Sequence, residues 1–432
     1  MRHHFKHHYL LLLALAGSLL VGAQRQYRSA SVLATGTWAK VAVEKEGVYK
    51  IDASFLASLG FSGSIPSAQL RVFGRKGGML PESNSAPYVD DLQELAIEVV
   101  DGGDGVLSGS DYALFYSAGP HPWIKDSVNR SFRHLKNLYS EKAFYFLSIG
   151  GVGKRIEEQK MFQAPFVTVT SFDERFYHEL DSVNFLNSGK EWFGEEFSNA
   201  PGRSLQHSFN LPFSDVDVSR PVTMTTNLVA RSVGASSQFR VAANGQAVQQ
   251  LTMPAVNGLP YNLFAQQVES SAVFTAGQPN LSISFAFTPG SFNAQGWLNW
   301  FQIFCRRPLA LQPNGQTHFR DWSTVGNTAV SFSVATSSAN IQVWEVTDGL
   351  TPIRMRGTFS NGQFTFTNGA ENLKEYVAFA QNLLTPQAVG KVAPQNLHGT
   401  TETDYFIITH PSFVAQAERL ALFHQQKNGL RA

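Results

Sequence analysis

The chain has 432 residues, of which 43% are hydrophobic, 12% aromatic and 16% charged. That much apolar material excludes intrinsic disorder and is enough for about two to four packed domains. A formal net charge of +1 offers no electrostatic case for nucleic-acid binding, which needs a clear surplus of Lys and Arg.

The N-terminus reads as a targeting segment. Arg2 and Lys6 precede an apolar run over residues 9–21, and Val21-Gly22-Ala23 suits a cleavage site. The run is shorter than the roughly 20 residues that a membrane span needs, so residues 1–23 are expected to be a signal peptide that directs export. His3, His4, His7 and His8 lie inside that removable segment and are not taken as a metal site. Without residues 1–23 the balance is 32 basic against 33 acidic side chains. No later segment is apolar enough to cross a bilayer. Cys305 is the only cysteine, so no intrachain disulfide exists and stability must come from cores. The 34 Phe, 35 Gly and 19 Pro point to β-rich, turn-rich structure.

Residues 37–43 alternate like a half-exposed strand, and Glu46-Gly47 with Val48-Tyr-Lys-Ile51 suggests the second arm of a hairpin. Asp52 is placed to cap a short helix over 53–59, ended by Gly60. Residues 71–74 form a strand leading into the glycine loop 74–81. That loop lacks the Gly-Lys-Ser/Thr ending of a phosphate-binding loop, and a tight turn is the preferred reading. Asp101, Asp104 and Asp111 hint at calcium, but the alternate carboxylates and closing Glu of an EF-hand are missing, and a turn is preferred again. Residues 144–148 give a further strand, and 154–160 a charged connector.

From about residue 166 to 308 the sequence is dominated by candidate strands at 204–211, 222–231, 237–241, 281–287 and 298–305, separated by Gly-containing turns. Such spacing predicts a β-sandwich or jelly roll. Cys305 is followed by Arg306 and Arg307, which favour a thiolate. It also alternates with Phe301 and Ile303 on one strand face, which favours a buried structural thiol, and the latter reading is preferred. The remaining histidines (121, 134, 178, 207, 318, 398, 410 and 424) stand in no local catalytic signature. Residues 313–322 read as a linker. A small β unit follows, with strands at 329–334, 341–346, 362–368 and 375–379. The last stretch predicts a β-α unit: a strand at 405–408, a helix after Pro411 with Phe413, Ala417, Leu420, Ala421 and His424 on one face, a stop at Gly429, and a further strand beginning at Leu430. Such a unit cannot cover its own apolar face and is expected to pack loosely.

Several of these stretches occur in an order that resembles a known family. Gly47-Val-Tyr-Lys-Ile51, the Gly77-Gly78 loop, Asp90-Asp91-Leu92 with Glu94, Asp104-Gly105, and Asp111-Tyr112 with Phe115-Tyr116 look like the N-terminal region of PorU-like sortases of the Bacteroidetes type IX secretion system. Val343-Trp344-Glu345-Val346 and Gln395-Asn396-Leu397-His398 agree with later parts of that region. Residues 404–429 resemble the first β-α unit of a gingipain-type cysteine peptidase domain.

The resemblance implies an enzyme family that removes C-terminal sorting signals from exported cargo and joins the cargo to surface lipopolysaccharide through a Cys-His acyl-enzyme. No position here matches either catalytic motif. The expected catalytic, cofactor-binding and metal residues are therefore none, no cofactor is implied, and the chain is expected to be inactive alone and truncated just inside the peptidase domain. Implied partners are other type IX secretion components and cargo with C-terminal sorting signals. Nucleic acid and a membrane span are not implied. The implied place is the periplasm or outer-membrane surface.

The expected fold is mainly β and multi-domain: a signal peptide (1–23), a β-rich N-terminal domain (24–160), a β-sandwich-like or jelly-roll-like domain (161–312), a small β domain (313–395) and the start of an incomplete α/β peptidase domain (396–432). The competing reading is a non-enzymatic exported β-domain protein that binds a partner or glycan, with Trp192, Trp297 and Trp322 as a sugar platform. Burial of these tryptophans in cores is the preferred fate.

Overall fold

The computed structural model describes residues 27–160, 167–187, 191–312 and 315–432, so the signal-peptide expectation lies outside the described residues. The first region is built on strand Trp38–Val43, which pairs antiparallel with Ala143–Ile149 on one side and Gln387–Val392 on the other. It is almost wholly buried rather than half-exposed. The expected hairpin does not form: Gly47–Asp52 pairs instead with Tyr112–Ser117 in a second sheet. The reason is that this strand is apolar on both faces. Tyr49 and Ile51 enter one core, with Leu56 and Phe115, while Val48 enters another, with Trp344 and Val377. A two-stranded hairpin would leave one of those faces in water.

Asp52 caps the helix Ala53–Ser58 as expected, its carboxylate accepting the Phe55 N–H at 2.9 Å. The glycine loop is a packing device. A Cβ on Gly74 would lie 2.4 Å from the Tyr145 ring, and Gly77 adopts φ +95°. Asp101, Asp104 and Asp111 each accept a backbone N–H within their own turns, from Gly103, Val106 and Ser108. Among the described residues no group of three or more His, Cys, Asp or Glu is placed to hold a metal ion.

The middle region is a jelly roll. Its long strands in chain order are Ser171–Glu179, Gln206–Asn210, Pro221–Arg231, Ser237–Ala243, Gln246–Met253, Gln266–Thr275, Ser282–Thr288 and Gln295–Pro308. The first, eighth, third and sixth form one antiparallel sheet; the second, seventh, fourth and fifth form the other. This is the order of two interleaved Greek keys. Inward residues such as Met224, Leu228, Phe239, Phe285, Phe301 and Ile303 fill the space between the sheets. Three of these strands escape a reading by pattern alone. Ser171–Glu179 is crowded with charges, and Gln246–Met253 and Gln266–Thr275 are polar edge strands whose outward positions dilute the apolar signal.

A second sandwich follows. Glu375–Phe379 is flanked by Gln342–Glu345 and Thr317–Arg320, and faces a sheet of Asn327–Ala335, Gln363–Ala370 and Gly357–Ser360. The short strands Glu157–Glu158 and Thr168–Val169 join these two sheets by parallel pairing. The jelly roll is therefore inserted between pieces of this sandwich, and Gln387–Val392 then returns to the first sheet.

The C-terminal helix Val414–Asn428 forms where expected and stops at Gly429, with φ +64°. Residues 405–408 form no ladder, because no neighbouring strand among the described residues meets their N–H and C=O groups. Of the expected helix face, Ala417, Ala421 and His424 are half-buried, with Tyr405 4.3 Å from His424 between ring centroids, while Phe413 and Leu420 are exposed because nothing among the described residues covers them. No residue of the helix is fully buried, while Phe406 and Ile408 are 65% and 91% exposed. One clamp closes the segment. The Arg431 guanidinium donates to both Asp404 oxygens at 2.8 Å, and the Asp404 N–H donates to the Arg431 carbonyl, also at 2.8 Å. Among the described residues no helix is long and apolar enough to cross a membrane.

Position in the jelly-roll core has a measurable consequence. Phe301 is fully buried among Phe176, Phe209 and Phe285. Phe301→Ala is expected to cost about 3–5 kcal/mol in urea unfolding. Val273→Ala, at a 69% exposed edge position, should stay within about 0.5 kcal/mol of the native protein. Equal losses would contradict the packing described.

Candidate functional site

Cys305 is the obvious nucleophile to test first. It lies on Gln295–Pro308 and points inward with Phe301 and Ile303, only 5% exposed. Burial pushes its thiol up to about 12, with the nearby Glu174 charge adding to the rise and Arg307 opposing it. The two arginines that follow it in sequence are already engaged. Arg306 holds Asp173 and Asp321 at 2.9 and 2.8 Å, and Arg307 holds Glu174 and Asp215. The nearest histidine on the adjoining strand, His178, stands opposite Phe301, while Cys305 stands opposite Glu174. Four residues along a strand is about 13 Å. His178 bonds to Glu195 at 2.9 Å instead. Cys305 is thus held as a thiol, no hydrogen bond joins it to a histidine among the described residues, and it serves as a small core residue.

The most concentrated chemistry lies where the three β regions meet. Arg175, on the charged first strand of the jelly roll, forms an ion pair with Glu375 at 2.8 Å and approaches Glu46 at 3.8 Å. Glu46 also accepts the Tyr116 hydroxyl at 2.7 Å and lies 3.3 Å from His318. Arg320, 1% exposed, sits 3.6 Å from Glu375 and 3.9 Å from Glu174. The Arg175 guanidinium lies over the Phe132 and Trp123 rings at 4.7 and 5.3 Å. Glu46, Tyr116 and Phe132 come from the first region, Arg175 from the jelly roll, and His318, Arg320 and Glu375 from the second sandwich.

The local fold explains the charges. Strand alternation turns Arg175 away from the jelly-roll core, and His318 and Arg320 share one face of Thr317–Arg320. Burial by itself raises the Glu46 carboxyl, but the charges of His318, Arg175 and Arg320 outweigh it and hold the group well below the usual carboxylate range. Burial and the Glu46 charge drive Tyr116 well above the usual phenol range. Beside the network, His134 stacks on Tyr177 at 3.9 Å between centroids. Burial, then the charges of His121, Lys136 and Arg175, push its pKa down to about 3.

The other sequence candidates are dispersed. Trp297 and Trp322 are buried, at 3% and 9% exposure, against Phe185 and Phe132 respectively. Trp192 is 44% exposed, so the three do not make one sugar platform. His410 and His424 bond within the C-terminal segment, to Ser412 and Asn428. Sequence reasoning missed Arg175, Glu46 and Glu375. The one available signal was the opposition of Asp173-Glu174 to Arg306-Arg307, and it becomes legible only once the register of their strands is known.

No family model matches the sequence, and no curated protein matches it. Among solved structures, the chain is similar to dimeric latent PorU from Porphyromonas gingivalis, with a TM-score of 0.78 and 22% sequence identity over 96% of this chain and 38% of that chain. The fold is therefore PorU-like, and the chain spans well under half the length of the protein it resembles. A CBM36 domain of a xylanase from the hindgut metagenome of Trinervitermes trinervoides also aligns, over 30% of this chain and 95% of that one, with 9% identity and a TM-score of 0.20. A likeness that slight carries no conclusion.

The junction should be acid-sensitive in two steps. Folding depresses the His134 pKa from 6.5 to about 3, so below about pH 6.5 the unfolded chain takes up a proton that the folded chain refuses. The urea midpoint is expected to fall between pH 7 and pH 5, and less so in His134→Phe. Folding also depresses Glu46, so its contribution is present above its ordinary value of 4.5 and is lost as pH falls below it. Glu46→Gln should flatten the loss below pH 4.5 while leaving the higher step in place. A midpoint independent of pH from 7 to 4 would contradict both assignments.

Proposed function

We propose that this chain is the N-terminal, non-catalytic part of a PorU-like sortase of the type IX secretion system. The observation that carries the reading is the extent of the fold likeness, 96% of this chain at a TM-score of 0.78. The ordered sequence stretches that resemble the family support it independently, from the Gly47–Ile51 stretch through the segment at 404–429. In this reading residues 1–23 direct export, and the protein works in the periplasm or at the outer-membrane surface. The β regions (24–160, 161–312 and 313–395) form the body on which residues 396–432 begin a gingipain-type peptidase unit. The partners are other type IX components and cargo with C-terminal sorting signals. In the full-length family the reaction cleaves the sorting signal through a Cys-His acyl-enzyme and passes the cargo to lipopolysaccharide.

This chain's own residues supply no step of that chemistry in the proposal. Cys305 is buried and its thiol is held protonated, with both following arginines committed to carboxylates. The role assigned to the chain is to hold and present, and the exposed apolar face of the 404–432 segment suits a surface to be covered by further structure.

The test is to incubate the full-length chain with a cargo protein carrying a C-terminal sorting signal, and to read cleavage by mass spectrometry and retention on the immobilised chain. No cleavage, together with retention of cargo or of another type IX component, is expected. Turnover that disappears in Cys305→Ser would overturn the non-catalytic assignment. Failure to retain cargo or any type IX component would favour an exported binding module of another kind.

A further inference from the structure

A cavity of about 540 Å³ opens beside the charged junction. Its walls come from distant parts of the chain: the tip of the hairpin Trp123–Asp126 and Ser131–His134, the outer face of one jelly-roll sheet, and the turn that follows Arg320. That volume lies in the range of small-ligand sites. Phe132, Phe304 and Trp322 give it flat apolar surface, with the Phe132 and Trp322 rings 5.5 Å apart.

The polar lining is one-sided in what it has left to offer. Each lining carboxylate is already bonded. Asp173 accepts from Arg306 at 2.9 Å and from the Trp322 N–H at 2.7 Å. Asp321 accepts from Arg306 and from the Ser323 N–H, both at 2.8 Å. Glu174 is held by Arg307. By contrast, Arg130 and Arg220 line the same cavity, are exposed, and form no side-chain hydrogen bond or ion pair among the described residues. Asp217, bonded to Ser219 at 2.6 Å, is the more distant counter-charge to Arg220. The Trp322 Nε1–H also meets no acceptor among the described residues, but it is buried beyond a ligand's reach. Unspent capacity is thus donor capacity, most of it cationic, next to aromatic faces. A cationic ligand would find no free carboxylate there.

We propose that this cleft binds an oxyanion carried on a flat apolar group, with Arg130 and Arg220 holding the carboxylate or phosphate and the half-buried Phe304 covering the ring, backed by the buried Phe132 and Trp322. Guanidinium forks match such oxyanions, and the aromatic walls take up the attached ring. Two sources share this chemistry: a free aryl acid, and an aromatic residue at the carboxyl end of a peptide. The site stands apart from the sortase reading and survives its failure.

The test is calorimetric titration of the full-length chain with phenyl phosphate and with N-acetylphenylalanine. N-acetylphenylalanine amide and inorganic phosphate are the comparisons. Saturable binding of at least one acid is expected, at least tenfold tighter than the neutral amide, and the better acid identifies the source. Phosphate alone should bind more weakly than phenyl phosphate because it lacks the ring. Arg130→Ala and Arg220→Ala, both at exposed positions that leave the cores intact, should each weaken binding about tenfold. The double variant should abolish saturation while keeping the native urea midpoint. No saturable binding of either acid, equal binding of acid and amide, or unchanged affinity in the double variant overturns the proposal.

Discussion

The contact on which the rest of this structure depends is the meeting of Arg175 with Glu375 and Glu46. It joins three β regions through one guanidinium. Placing a guanidinium at 6% exposure is costly unless its charge is answered, and here two carboxylates and two aromatic faces answer it. Removing any one partner would leave a buried charge exposed to low dielectric, so the regions are held in register by the penalty for separating as much as by attraction. Arg320 sharpens the point. Burial and the neighbouring Arg175 both press its pKa downward, and its Nε finds no hydrogen-bond acceptor among the described residues. The cluster carries more cation than its geometry fully satisfies, so small displacements there are costly.

Topology adds a second constraint. The chain leaves the first region, lays one short strand on each sheet of the second sandwich, builds the whole jelly roll, and only then completes that sandwich. It finishes by returning Gln387–Val392 to the edge of the strand at which the β structure began. Contacts of such long sequence separation form late and make the regions interdependent. The cleft lined by Arg130 and Arg220 is a product of this path, since none of its walls closes it without the others.

The C-terminal segment obeys neither constraint. Its helix follows local rules: Pro411 near the start, a glycine with φ +64° at the end, and an Asp404–Arg431 clamp across the base. Its strand does not form, because a strand depends on a neighbour and a helix satisfies its own backbone. The contrast within one short stretch separates what is local from what is not.

The same division runs through the whole protein. Local residue patterns suffice for the β-rich class, the sandwich character of the middle region, the Asp52 cap, the helix at 414–428 and the buried side of Cys305. All of these rest on alternation, turn residues or helix signals that act over a few neighbours. Long-range packing alone sets that Gly47–Asp52 pairs with Tyr112–Ser117, that the middle sandwich has jelly-roll order, and that the charged strand Ser171–Glu179 lies at a sheet edge, from which Arg175 reaches the other two regions. Alternation reports which face of a strand is apolar, but it does not say which strand lies beside it. The partner of a buried charge such as Arg175 is supplied by residues far along the chain, and no local pattern encodes that distance.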